Sequence, residues 1–98
     1  MIHPTALISP KAELHTTVTV GPYAVIDEGV VVGGGTEIGA HVHLTGKTTL
    51  GKNNVVHTGA VIGGPPQDTK YKGGITSLRV GENNVIREFV TLHRSNSQ

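Results

Sequence analysis

Residues 14–44 read LHTTVTVGPYAVIDEGVVVGGGTEIGAHVHL, and every sixth residue of this stretch is a large aliphatic. The spacing runs from Ile2 to Leu92, where 14 of 16 such positions carry Ile, Leu or Val. An α-helix repeats every 3.6 residues and a strand every 2, so neither accounts for a period of six. A chain that coils as a triangular prism does, because each short side points one aliphatic inward. The positions are Ile2, Ile8, Leu14, Val20, Ile26, Val32, Ile38, Leu44, Leu50, Val56, Ile62, Val80, Ile86 and Leu92.

The residues between the aliphatic positions complete a hexapeptide β-helix pattern. Glycine directly follows the aliphatic at six places, and the fourth residue after it is small or β-branched through most of the chain. We therefore predict an all-β fold, a parallel β-helix shaped as a triangular prism. Three sides make about 18 residues per coil, and about five coils would stack to roughly 25 Å at the usual strand spacing of about 4.8 Å. Another β fold with glycine-rich turns would instead show a period of two and irregular turn spacing.

Two similar tetrapeptides, residues 51–54 and 81–84, read GKNN and GENN. Glycine and asparagine tolerate the positive φ that tight corners require, whereas β-branched residues do not. We therefore expect both tetrapeptides to form corners of the prism.

The composition excludes several classes of function. The 98 residues make one domain, with three aromatic residues (Tyr23, Tyr71 and Phe89) and no cysteine, which excludes disulfides and thiolate chemistry. A net charge of +1 gives no reason to expect a nucleic-acid partner, and the apolar runs are too short to span a membrane. The N-terminus lacks a basic region followed by an apolar run, so we expect a cytoplasmic protein.

The repeat is interrupted once, at residues 63–79, where Asp68 and Gly74 occupy positions that are aliphatic elsewhere. The pairs Pro65-Pro66 and Gly73-Gly74 are unsuited to a regular strand, so we predict a loop that leaves the prism. Ile62 and Val80 are three hexapeptides apart, the length of one coil. The loop therefore either replaces two sides of a coil or interrupts the chain between sides, and the sequence leaves both open.

The loop is also the candidate binding site. It carries Gln67, Asp68, Lys70, Tyr71 and Lys72, which together suit a polar ligand with hydroxyl and phosphate groups. The alternative is a solvated loop without a ligand, although loops on a rigid solenoid are frequent functional sites.

Two longer stretches resemble one enzyme family. The run IGGPPQDTKYKG at 62–73, together with VGENNVIREFVTLHR at 80–94, resembles the UDP-N-acetylglucosamine acyltransferases, which begin lipid A synthesis in bacteria. The resemblance covers all 98 residues and corresponds to little more than the first third of a typical member. It implies a left-handed β-helix and a homotrimer with active sites between subunits. Because general chain sterics favour right-handed crossovers, the left hand is an expectation from the family alone.

The resemblance also implies a reaction. A 3-hydroxyacyl group passes from acyl carrier protein to the 3-hydroxyl of UDP-N-acetylglucosamine, and Gln67, Asp68 and Lys70 help to hold the nucleotide sugar. The family's general base is a histidine in a His-x-x-His segment, which this chain lacks. The later coils and C-terminal helices of the family are also expected to be absent. We therefore assign no catalytic residue here and expect the 98 residues alone to be inactive.

Two alternatives to this function stay open. One is a β-helix structural or assembly module without chemistry, and the other is a different sugar-nucleotide acyltransferase with hexapeptide repeats. A scaffold has no need of the Gln67 to Lys70 segment, and the N-acyltransferase that acts later in lipid A synthesis carries an extra N-terminal domain.

The six histidines raise a metal hypothesis, since the γ-class carbonic anhydrases are related trimers that bind zinc through histidines. His3, His57 and His93 would share one face if the loop replaced two sides. His57 and His93 would then lie two coils apart, about 10 Å, which is too far for joint ligation. His41 and His43 would alternate on one strand and point the same way, a weaker two-ligand possibility. We predict no metal and no other cofactor.

Overall fold

The computed structural model describes residues 1–64 and 77–93, which form thirteen short strands. No helix long and apolar enough to cross a membrane occurs within these two ranges. The strands are β1 (Leu7–Ile8), β2 (Glu13–Leu14), β3 (Thr19–Val20), β4 (Val25–Ile26), β5 (Val31–Val32), β6 (Glu37–Ile38), β7 (His43–Leu44), β8 (Thr48–Leu50), β9 (Val55–Val56), β10 (Val61–Gly64), β11 (Leu78–Val80), β12 (Val85–Ile86) and β13 (Thr91–His93).

The strands form three parallel sheets, one for each side of the prism. Their orders are β1-β4-β7-β10-β13, β2-β5-β8-β11 and β3-β6-β9-β12. Each strand therefore pairs with the strand three elements later, as a coil with three sides requires. Val32 pairs with Leu14 and with Leu50, three hexapeptides away in each direction. This register confirms the predicted coil length.

The inward aliphatic positions form the core. Ile26, Leu44, Leu50 and Ile62 are at most 1% exposed, because each is covered by coils on both sides. Exposure rises at the first coil, where Ile2 is 47% exposed, since only one neighbouring coil covers it. The period-six prediction of the core is therefore confirmed, and no large aromatic side chain is needed to fill the prism.

The smaller inward position, four residues after each aliphatic, is equally buried from Val18 to Ala60 but is not uniformly apolar. Asn54 occupies it with no exposed surface. The Asn54 Nδ2 donates hydrogen bonds to the carbonyls of Gly51 at 3.0 Å and Gly81 at 2.8 Å, and its Oδ1 accepts one from the backbone N–H of Asn84 at 2.8 Å. The amide thus links neighbouring coils at one corner.

The two tetrapeptides form corners, as predicted, but only one residue of each needs positive φ. Asn53 and Asn83 have φ of 58° and 61°, which matches the expectation. Gly51 does not share this conformation. A Cβ on Gly51 would lie 2.9 Å from the carbonyl oxygen of Gly81 in the next coil, so glycine is required there by the close stacking of coils.

The register settles how the repeat is interrupted. Leu50 pairs with Val32, three hexapeptides before it, and with Val80, five hexapeptides after it. The coil that contains the interruption is therefore longer than the others by two hexapeptides, and all three of its sides are present. Of the two arrangements left open by the sequence, the chain is interrupted between sides and no side is replaced.

Candidate functional site

The extra residues enter at one corner, between β10 and β11. β10 pairs with β7 up to Ile62 opposite Leu44, and β11 pairs with β8 from Leu78 opposite Thr48. Residues 45–47 join the two partners in the coil below, whereas residues 63–77 join Ile62 to Leu78, so this corner is twelve residues longer. The predicted site residues Gln67, Asp68 and Lys70 fall within the insertion and lie outside the described residues.

The chain enters the insertion through a backbone conformation that only glycine adopts easily. Gly63 has φ of 89° and is buried. A Cβ at this position would overlap the carbonyl oxygen of Thr45 and the hydroxyl of Thr48. Those two atoms are hydrogen-bonded to each other at 2.8 Å. The departure point of the insertion is therefore fixed by close packing against the coil below.

A carboxylate and an imidazole pair on the outer face of the sheet that leads into the insertion. Asp27 Oδ2 lies 2.9 Å from His43 Nε2, and the two side chains are 42% and 44% exposed. Partial burial disfavours the ionised carboxylate, but hydrogen bonds from His43 and Thr45 and the charge of His43 outweigh it, so the pKa of Asp27 is lowered. An ionised Asp27 therefore fixes the orientation of the His43 ring.

Sequence reasoning did not find this pair. The two residues are distant along the chain, and they meet because Val25 pairs with His43 in the register of successive coils. Asp27 follows the inward Ile26 and His43 precedes the inward Leu44, so both side chains leave the same face in adjacent coils. Aligning the sequence coil by coil, with 18 residues to a coil, would have placed these two residues next to each other.

A second histidine lies near a carboxylate at another corner. His57 Nδ1 is 3.6 Å from Glu88 Oε2, and Arg87 Nε is 3.5 Å from Glu88 Oε1. The pKa of Glu88 is lowered, mainly because its carboxylate accepts a hydrogen bond from its own backbone N–H. Burial acts to raise the pKa, and the charges of His57 and Arg87 lower it further. All three side chains are substantially exposed to solvent, so these are surface pairs.

The histidines do not gather into a metal site in the part of the chain that the structure describes. No group of three or more His, Cys, Asp or Glu side chains that could hold a metal ion occurs there. His57 follows β9, whereas His93 ends β13 in a different sheet, so the idea that they share a face is wrong. The prediction that His41 and His43 alternate on one strand is also wrong, because β7 begins at His43 and His41 lies at a corner, with φ of 57° and its ring stacked on Tyr23.

Curated relatives match the chain over nearly its whole length. It is 49% identical over 94 residues to an acyl-[acyl-carrier-protein]–UDP-N-acetylglucosamine O-acyltransferase of Thermodesulfovibrio yellowstonii, covering 96% of this chain and 36% of the relative. The enzyme of the same name from Saccharophagus degradans is 48% identical over 97 residues, covering 99% and 38%. The chain thus spans little more than a third of these relatives. No protein-family model matches it.

Solved structures with similar folds carry related names. The UDP-N-acetylglucosamine acyltransferase of Francisella novicida superposes with a TM-score of 0.95 at 37% identity, over 99% of this chain and 36% of that one. LpxA from Acinetobacter baumannii gives 0.94 at 44% identity, over 97% and 37%. The superpositions confirm the left-handed parallel β-helix that was expected from the resemblance. The sequence and structure matches both support the predicted relationship.

Proposed function

We propose that this chain, a homologue of the UDP-N-acetylglucosamine O-acyltransferases over nearly its whole length, is the N-terminal part of an enzyme with that activity. The enzyme would transfer a 3-hydroxyacyl group from acyl carrier protein to the 3-hydroxyl of UDP-N-acetylglucosamine, the first step of lipid A biosynthesis. The observation that carries this proposal is an identity of 45–49% to relatives of that name across at least 95% of the chain.

The insertion at residues 65–76 is the proposed nucleotide-sugar site. It is the one departure from an otherwise regular coil between Ile2 and Leu92, and it carries Gln67, Asp68 and Lys70. A carboxylate accepts hydrogen bonds from sugar hydroxyls, an amide both donates and accepts, and an ammonium group pairs with phosphate. These three groups suit UDP-N-acetylglucosamine better than a purely apolar or purely anionic ligand.

The reaction needs more groups than this chain supplies. The sugar 3-hydroxyl oxygen attacks the thioester carbonyl, a general base takes the hydroxyl proton, and the carrier thiolate leaves and is protonated. A positioned base typically contributes about 10²–10⁴-fold to such a step. The chain contains no His-x-x-His segment, so we propose that the base lies outside it and that the chain alone does not turn over substrate.

Titration with UDP-N-acetylglucosamine tests the proposed binding role. We expect weak binding by this chain that is lost in Asp68→Asn and Lys70→Ala and unchanged in Glu13→Gln, a control on another face. Free UDP should compete only partly, since it lacks the sugar hydroxyls. A tight complex that depends on Asp68 would show that the binding site is complete within this chain. Binding that none of the loop substitutions changes would refute the assignment.

The two alternatives predict different results. A structural module without chemistry would not bind the nucleotide sugar, and a different sugar-nucleotide acyltransferase would bind its own sugar nucleotide in preference to UDP-N-acetylglucosamine. We also propose a homotrimer in the cytoplasm.

A further inference from the structure

The corners of the first coil, residues 2–19, are held by side chains in a way that later corners are not. In the third coil, for example, the N–H of the corner residue Asn53 donates to the backbone carbonyl of Gly34 in the coil below at 2.9 Å. In the first coil the equivalent N–H groups donate to the side chain two residues earlier. These bonds run from Thr5 to His3, from Lys11 to Ser9 and from Thr17 to His15.

At residues 15–17 the hydrogen bonds fix the protonation state of an imidazole. The Thr17 N–H donates to His15 Nδ1 at 3.2 Å, and Thr17 Oγ1 lies 2.9 Å from the same nitrogen. Thr17 Oγ1 itself accepts a hydrogen bond from the Gly35 N–H of the second coil at 2.9 Å, so its own hydrogen points to Nδ1. A nitrogen that receives two donors must present a lone pair. The His15 ring is therefore neutral, with its hydrogen on Nε2.

The same arrangement occurs at residues 3–5. The Thr5 N–H donates to His3 Nδ1 at 3.2 Å, Thr5 Oγ1 lies 2.9 Å from that nitrogen, and the Tyr23 N–H donates to Thr5 Oγ1 at 3.0 Å. Residues 3–5 and 15–17 are called the histidine caps below. Each cap connects an imidazole of the first coil to a backbone N–H of the second coil through a threonine hydroxyl.

Few titratable groups surround His15. It lies in a shallow groove on the outer face of the β2-β5-β8 sheet, where Glu13 comes from its own strand and Lys52 from the third coil. The second coil contributes only valine and glycine to this groove. A carboxylate favours a protonated imidazole and an ammonium group disfavours it, so the effects of Glu13 and Lys52 oppose each other.

The surroundings of His3 are similar. The second coil contributes one titratable side chain at this corner, Tyr23, whose ring stacks on a histidine of the third coil. The ammonium group of Met1 donates to the Val18 carbonyl at 3.2 Å. Across residues 1–64 and 77–93, carboxylates lie within salt-bridge distance of two other histidines but not of His3 or His15.

We infer that the two histidine caps are a pH-sensitive closure of the first coil, closed while His3 and His15 are neutral and released when they bind a proton. A proton on Nδ1 would make this nitrogen a donor that faces two other donors. The ring must then turn away, which releases the threonine N–H and the hydroxyl that binds the second coil. Because the open state binds more protons, the closed state is favoured at high pH and lost as the pH falls. This inference is independent of the proposed function.

Two contacts of the same fold should not respond in this way. The Lys11 N–H donates to Ser9 Oγ at 3.1 Å, and a hydroxyl does not titrate in this range. His43 Nε2 faces the Asp27 carboxylate at 2.9 Å, so a protonated His43 ring keeps its contact. The release is therefore specific to the two corners whose imidazoles accept hydrogen bonds.

Native-state hydrogen exchange of the 98-residue chain, followed residue by residue by NMR, tests the closure. Histidine changes charge between about pH 5 and 8. From about pH 7.5 to about pH 5.5, the protection factors of the Thr5 and Thr17 amides should fall at least about fivefold, as expected for the loss of one hydrogen bond. Those of Lys11 and Asn53 should not change. Constant protection at Thr5 and Thr17, or an equal fall at all four amides, would overturn the inference.

Serine variants separate the titration from the cap, because Ser9 already fills the equivalent position at the third corner. In His15→Ser the protection of Thr17 should become independent of pH, while that of Thr5 still falls. His3→Ser should give the reverse result. The control is His57→Ser, which lies outside both caps and should leave both responses intact. A pH response of Thr17 that persists in His15→Ser would refute the inference.

Imidazole nitrogen spectra provide a readout that does not depend on exchange. At about pH 8, near the upper end of the histidine range, His3 and His15 should both carry their hydrogen on Nε2. A hydrogen on Nδ1 of either ring at that pH would contradict its role as an acceptor and would exclude the cap as a proton-sensitive contact.

Discussion

Replacing Asn54 should reveal how far a buried amide holds successive coils together. Its side chain makes three hydrogen bonds, to the Gly51 and Gly81 carbonyls and from the Asn84 N–H, at 2.8–3.0 Å. A hydrogen bond contributes about 1 kcal/mol net, so removing all three costs about 3 kcal/mol. In Asn54→Val, burial of the apolar side chain offsets about 1 kcal/mol. We therefore expect the free energy of unfolding to fall by about 2 kcal/mol.

A threonine at the same position is the matched control, because the coil below already contains one. Thr36 occupies the position equivalent to Asn54 in that coil. Its hydroxyl donates a hydrogen bond to the Gly51 carbonyl oxygen at 2.9 Å and accepts one from the Asn54 N–H at 3.3 Å. In Asn54→Thr, the hydroxyl should make the same two bonds to the coil above. Val18 fills the equivalent position one coil lower and is 2% exposed, so a β-branched apolar side chain fits sterically.

The assay is urea unfolding at a fixed protein concentration, followed by far-ultraviolet circular dichroism. We expect Asn54→Thr to lose no more than about 1 kcal/mol and Asn54→Val to lose at least about 1 kcal/mol more. Equal stability of the two variants, which have nearly the same shape, would show that side-chain hydrogen bonds at this position contribute nothing to coil stacking and would refute the reasoning.

Two further predictions concern coil packing and charge. Gly33→Ala should destabilise the fold by about 1–3 kcal/mol, because the new Cβ would lie 2.8 Å from the carbonyl carbon of Gly51. The control is Gly81→Ala, whose Cβ would have its nearest neighbour at 3.9 Å and which should change stability by less than about 0.5 kcal/mol. Equal losses of stability in thermal unfolding of the two variants would contradict this prediction. Asp27→Asn should cost up to about 1 kcal/mol, as for a half-exposed pair. Because folding lowers the Asp27 pKa from its ordinary 3.8, this contribution is present above that pH and is lost as the pH falls through the folded value. Urea unfolding should therefore separate variant from wild type near about pH 5 and not near about pH 2, and a constant gap would exclude the carboxylate as the cause.

The core and the coil length follow directly from the sequence, because a six-residue period has few other structural solutions. Val32, Leu50 and Ile62 are buried where the period places them. The left hand was not predictable in this way. It came from family resemblance, against the usual right-handed preference of parallel crossovers, and was then confirmed by similarity to solved structures.

Other features were hidden because they depend on pairing between coils. The insertion adds two whole hexapeptides, so Val80 stays in phase with Leu50 whether or not a side is lost. Only the direct pairing of these two residues in neighbouring strands distinguishes the two arrangements. The contact between Asp27 and His43 likewise depends on the stacking of adjacent coils. The ligand-binding role of the loop rests on residues outside the described ranges and stays a prediction.

The position of the insertion explains how the prism can carry a long loop without losing its register. The insertion lies between Ile62 and Leu78, whose partners Leu44 and Thr48 are only four residues apart in the coil below. Both of its ends are therefore held by paired strands, and the entropy of closing such a loop grows only slowly with length. Because the added residues are a multiple of six, the inward positions above the insertion remain in register with those below. A substitution in the loop can therefore leave the aliphatic core unaltered. In contrast, the insertion or deletion of a single residue in any side would shift every later aliphatic out of its inward position.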